Sequence, residues 1–194
     1  MTEELKCDVC EAVKDPEKIL VVVDMQYDFI DGALANPAAE AIVPKIAEYI
    51  KAFDGDKIVF TRDTHNKDYL TTQEGRKLPV EHCIEGTPGW CVHEDLRKAA
   101  EEWGKAEKNR NVWYEDKKQF GETNLLGFYP HAPEDEIQIC GTCTDICVIS
   151  NAIILKAENP ETPLKVLKDL CAGLTPESHE NALKAMAMCQ IEVI

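Results

Sequence analysis

Thiol, amine and carboxylate side chains recur in this chain just after short apolar runs, and together they could open an amide. Cys140, Cys143 and Cys147 crowd around Gly141, Asp24 follows the run Ile19-Leu20-Val21-Val22-Val23, and Lys117 and Lys118 follow Asn111-Val112-Trp113-Tyr114. A thiol near a helix start sits in the field of unpaired backbone N–H groups, which lowers its pKa from about 8.5. A neighbouring lysine lowers it further, and a carboxylate can take up the thiol proton. The same N–H groups can hold the oxyanion that forms when a thiolate attacks an amide carbonyl. The chemistry so described is acyl transfer through a thioester.

Such groups need a scaffold that brings them to one place. The apolar runs at 19–23, 57–61, 111–114, 136–140, 164–167 and 191–194 read as strands. Helical spacing appears at 38–52 (with Pro44 in its first turns), 92–102, 144–157 and 176–188. This alternation predicts a three-layer α/β fold of the Rossmann-like kind, with a mostly parallel sheet of about six strands and helices on both faces. Ligands bind beyond the carboxyl ends of such strands. The residues found there are Asp24, then Arg62-Asp63-Thr64-His65, then Asp116-Lys117-Lys118, then the stretch from Gly141 to Cys147. The segment 63–90 shows no clean period, and a loop of that length in a domain is usually functional.

Composition narrows the class. A length of 194 residues fits one domain with its own core, expected over 17–194 after an N-terminal extension at 1–16. A net charge of −15 points away from nucleic acid, which demands a basic face, and away from an anionic membrane surface. The first residues lack the basic head and apolar run of a signal peptide, so the cytoplasm is the expected compartment. Nine cysteines are then mostly free core thiols, with one available for catalysis.

The runs Val21-Val22-Val23-Asp24-Met25-Gln26-Tyr27-Asp28-Phe29 and Gly141-Thr142-Cys143-Thr144-Asp145-Ile146-Cys147-Val148 resemble the isochorismatase-like cysteine hydrolases, the superfamily that contains the nicotinamidases. The resemblance implies Asp24 as general base, Lys117 as its cationic partner and Cys147 as nucleophile. It further implies a cis Thr142–Cys143 peptide, with the backbone N–H groups of Cys143 and Cys147 facing the oxyanion, and a homo-oligomer. The family run after the lysine departs here to Lys117-Lys118-Gln119-Phe120, and counting back from Phe120 favours Lys117, with Lys118 as the alternative.

Asp63-x-His65 with His82 resembles the metal-binding portion of the nicotinamidases, and Glu74 stands where some relatives supply a fourth ligand. One carboxylate and two imidazoles form a borderline-soft set suited to a single divalent ion. Zinc is the expected ion, with iron or manganese as alternatives. In that family a pyridine nitrogen of the substrate meets the metal, so the substrate expected here is nicotinamide, with Phe29 and Trp90 as candidates to stack on its ring. Two other readings stay open. One is a related amidase acting on another small amide or a carbamoyl or ureido compound. The other is a zinc-binding or redox protein using the C-x-x-C pairs Cys7/Cys10 and Cys140/Cys143.

Overall fold

β-Branched and other apolar runs become the centre of a six-stranded sheet in the computed structural model, which describes residues 16–123, 125 and 135–194. The elements are β1 (Lys18–Val23), α1 (Tyr27–Ile30), α2 (Pro37–Ala52), β2 (Lys57–Asp63), α3 (Gln73–Lys77), α4 (Glu94–Ala106), β3 (Asn111–Lys117), β4 (Glu136–Thr142), α5 (Ile149–Glu158), β5 (Leu164–Ala172), α6 (Pro176–Met188) and β6 (Glu192–Val193). The strand order is β3-β2-β1-β4-β5-β6, parallel throughout. α2 packs with α4 and α5 packs with α6, giving the two helical layers. The direction of winding reverses between β1 and β4, where an open α/β sheet forms its ligand crevice. The C-x-x-C residues Cys7 and Cys10 lie outside the described residues.

Four strands run further than their apolar stretches suggested, β5 the furthest, to Ala172. β2 extends to Asp63, β3 to Lys117 and β4 to Thr142, because polar residues at the strand ends still complete the ladder. The register pairs Asp63 with Lys117, Val23 with Thr61 and Val23 with Gly141, so the chemical groups finish at one level. Gly141 makes this possible. Its φ is +118°, and a Cβ there would lie 2.2 Å from the Val23 carbonyl oxygen.

α2 begins with Asn36 accepting a hydrogen bond from the Ala38 N–H and with Pro37 at its first position. Pro44 lies two turns in rather than in the first turns; burial of Ile42, Val43, Ile46 and Ile50 offsets its missing N–H bond. The single helix expected over 144–157 is a π-helical turn, Thr144–Val148, followed by α5. The segment 63–90 holds α3 and two 3₁₀ turns, and α1 went unread because one turn carries no period.

Candidate active site

The left-handed backbone of Asp24 (φ 48°) turns the chain at the end of β1. The Thr61 hydroxyl donates to Asp24 Oδ1 at 2.7 Å, and the Asp24 N–H donates to the Thr61 carbonyl at 3.2 Å. Lys117 Nζ lies 2.6 Å from Asp24 Oδ2, 3.6 Å from Cys147 Sγ and 3.6 Å from Asp63 Oδ1. Asp24 and Lys117 are fully buried and Cys147 nearly so. Lys118 is exposed.

Burial sets the electrostatics. It pushes the Asp24 carboxyl above its usual range, against the pull of Lys117. Burial alone would lower the Lys117 ammonium, but Asp24, Cys147 and Asp63 outweigh it and raise it. The Cys147 thiol is pushed well up by burial and by Asp24, with Lys117 opposing. This reverses the expectation of a lowered thiol pKa at the helix start. Burial is the main reason, and the lysine opposes it only in part because it is committed to Asp24, an ångström nearer than it is to the sulfur.

The Thr142–Cys143 peptide is cis. The Cys143 carbonyl accepts from the N–H groups of Ile146 and Val148, the residues on either side of Cys147. Asn151 ties the turn that carries Cys147 to α5, donating to the Cys147 carbonyl at 2.8 Å while its oxygen accepts from the Glu122 N–H.

Beside this trio, Asp63, His65 and His82 bring three donor atoms within 4.8 Å of one another. Asp63 Oδ2 lies 3.0 Å from His65 Nε2 and 3.4 Å from His82 Nε2. Glu74 Oε1 stands 3.6 Å from His65 Nε2 and 3.9 Å from His82 Nε2. His82 Nδ1 lies 2.8 Å from the Val80 carbonyl, leaving Nε2 turned toward the cluster. His65 Nε2 is buried without a hydrogen bond of acceptable geometry. An orphaned imidazole nitrogen among a carboxylate and a second imidazole fits a divalent ion bound at roughly 2.0–2.2 Å from each donor.

Two residues that the sequence reading passed over hold this loop in place. Gln26 is fully buried; its amide donates to the carbonyls of Asp63 (2.9 Å) and Trp90 (2.8 Å) and accepts from the Asp63 N–H (2.7 Å). Asp28 accepts from the Cys83 N–H at 2.7 Å, fixing the residue after His82 in its left-handed conformation. Both lie within the quoted Asp24–Phe29 run; a polar residue among apolar neighbours was their only signal.

A cavity of about 510 Å³ opens onto both groups, lined by Asp63, Glu74, His82, Cys143 and Cys147 and by apolar residues that include Phe29 and Phe120. Trp90 is not part of its lining. Its indole N–H donates to Thr64 Oγ1 at 2.8 Å, and the Arg62 guanidinium sits 3.9 Å over its ring. Cys140 and Cys143 are free thiols and neither belongs to a cluster of metal donors among the described residues.

The chain is similar to known proteins over nearly its whole length. The Isochorismatase domain family matches residues 18–194. The nicotinamidase/pyrazinamidase of Mycobacterium tuberculosis H37Rv is 29% identical over 185 residues, covering 91% of this chain and 98% of that protein. The zinc complex of Pyrococcus horikoshii pyrazinamidase superposes with a TM-score of 0.71 at 30% identity, over 92% of this chain and 99% of the other. The pyrazinamidase/nicotinamidase of Streptococcus mutans UA159 gives 0.75 at 32%, over 92% and 100%. With a domain match over nearly all the described chain and full-length relatives, the protein belongs to the isochorismatase family.

Proposed function

We propose that the protein is a metal-assisted cysteine amidohydrolase that converts nicotinamide and water to nicotinate and ammonia. The observation that carries this reading is the sharing of Asp63, which faces Lys117 through Oδ1 and the two histidines through Oδ2. A thioester-forming trio and a metal-ligand set thus open onto one cavity.

Asp24 takes the Cys147 proton as the sulfur attacks the carboxamide carbon; its raised pKa matches it to a thiol of raised pKa. Lys117 balances the charge on Asp24. The backbone N–H groups of Cys143 and Cys147 stabilise the oxyanion. Asp24 returns the proton to the leaving nitrogen, and ammonia departs from a Cys147 thioester. Asp24 then takes a proton from water as it attacks the thioester, and the acid leaves as the thiol is restored. Asp63, His65 and His82, with Glu74 as a fourth, would hold a divalent ion, zinc first among the candidates. When bound, that ion supplies a Lewis-acid anchor for the ring nitrogen.

Phe29, 5.6 Å from the His82 ring and in the cavity wall, is placed to pack on the substrate ring. A cytoplasmic, homo-oligomeric enzyme completes the reading, and among the described residues no helix is long and apolar enough to cross a membrane. The test is ammonia release from nicotinamide, pyrazinamide, benzamide and a ureido compound, with and without added zinc. Metal-dependent release from nicotinamide supports the reading, and release from the ureido compound alone moves the protein to the other amidase branch.

A further inference from the structure

Thr144 Oγ1 and His179 Nδ1 share a hydrogen bond of 2.9 Å. Thr144 is fully buried and immediately follows Cys143 in the turn that carries Cys147. His179 belongs to the first turn of α6 and lines a recess of about 220 Å³ that shares Asn36 and Leu174 with the wall of the cavity that holds Cys147.

The anchor is firm for physical reasons. α6 starts with a capping box in which Thr175 accepts from the Ser178 N–H at 3.0 Å, one residue before His179. The chain before α6 is pressed close, since a Cβ on Gly173 would lie 2.8 Å from the His179 Cβ. The neighbouring Asp145 accepts the Leu174 N–H through both carboxylate oxygens at 3.2 Å, and Asn36 donates to the Gly173 carbonyl at 3.0 Å. The nucleophile turn is therefore fastened to the β5–α6 junction at two successive residues, and that junction is fastened to the cavity wall.

We propose that His179 is a positioning residue for amide hydrolysis, holding the Cys143–Cys147 turn through the Thr144 hydroxyl; the proposal rests on the thioester mechanism above. A buried hydroxyl that loses its partner is costly, so the turn would shift to find another. Small shifts of oxyanion donors tax the transition state far more than substrate binding, which is anchored across the cavity at the metal ligands.

The experiment compares kcat and KM of the metal-loaded wild type with His179→Leu, His179→Asn and Thr144→Val, on whichever amide the wild type hydrolyses fastest. His179→Leu should lose about ten-fold or more in kcat with KM within about two-fold. His179→Asn, whose amide sits near the Nδ1 position, should recover most of that loss. Thr144→Val, nearly isosteric, should reproduce the kcat loss from the other end of the bond. Alkylation of Cys147 by iodoacetamide and bound metal should match the wild type in all three. An unchanged kcat in His179→Leu, an Asn variant as impaired as Leu, or alkylation falling in parallel with hydrolysis would each overturn the proposal. A wild type inactive on every amide would overturn the thioester mechanism itself, and the proposal with it.

Discussion

Lys117 Nζ lies 2.6 Å from Asp24 Oδ2, and neither side chain has any exposure to solvent. Desolvating two charges is tolerable only because they neutralise each other, and removing one strands the other. The pair is therefore a structural commitment, and in the proposed mechanism it is also the proton-transfer apparatus.

Single changes should accordingly cost nearly as much activity as double ones. Asp24→Asn and Lys117→Met are each expected to lower kcat/KM by about 10³ or more, and the double variant little further. In denaturant melts each single change should cost about 3–5 kcal/mol, with the double variant more stable than either. Lys118→Met, on an exposed residue, should stay close to wild type. Additive kinetic losses would argue against a shared apparatus.

The acid limb of kcat/KM should report Asp24. The carboxylate is the form that accepts the thiol proton, and burial raises its pKa, so activity should fall as pH drops through a value above the ordinary carboxylate range. The raised Cys147 pKa predicts that most of the free enzyme carries the thiol at neutral pH. Alkylation of Cys147 should therefore accelerate as pH rises above neutrality. A pH-independent rate between pH 6 and about 9 would indicate a preformed thiolate instead.

Metal removal separates the two halves of the site. Stripping the ion, or making His65→Ala, should abolish nicotinamide hydrolysis while leaving Cys147 alkylation near its original rate. Asp63→Asn should impair both, since Asp63 also faces Lys117. Benzamide, lacking a ring nitrogen, should show a much smaller dependence on metal. Equal hydrolysis of both amides by stripped and loaded enzyme would remove the ion from catalysis.

Gln26→Leu should weaken metal binding by roughly 10–100-fold without touching a metal ligand, because the Asp63 backbone loses both of its bonds to the Gln26 amide. Titration with a chelator of known affinity measures it, and undiminished affinity would show that the loop holds its shape alone.

Deleting residues 1–15 should leave turnover within a few-fold, as the extension precedes β1 and the family match. Loss of activity together with loss of bound zinc would instead revive a structural metal role for Cys7 and Cys10.

The sequence by itself determined the α/β class and the catalytic and metal candidates. Apolar runs spaced between helical periods admit few other folds, and Asp24, Asp63, Lys117 and the Gly141–Cys147 stretch all follow such runs. Its periodicity stops short wherever polar residues continue a strand: the expected strands end at Thr61 and Tyr114, whereas β2 ends at Asp63 and β3 at Lys117.

Tertiary structure alone decided distance and environment. Register set Asp63 beside Lys117, the turn at Asp24 brought its carboxylate to the same amine, and burial raised a thiol pKa that the helix start alone would lower. Trp90 and Phe29 looked alike as ring-stacking candidates, yet only Phe29 faces the cavity, while Trp90 packs under Arg62. Gln26 and Asp28 earned their roles only through partners 37 and 55 residues away. Desolvation and long-range hydrogen bonding depend on which surfaces the fold closes, and no local pattern of residues encodes that.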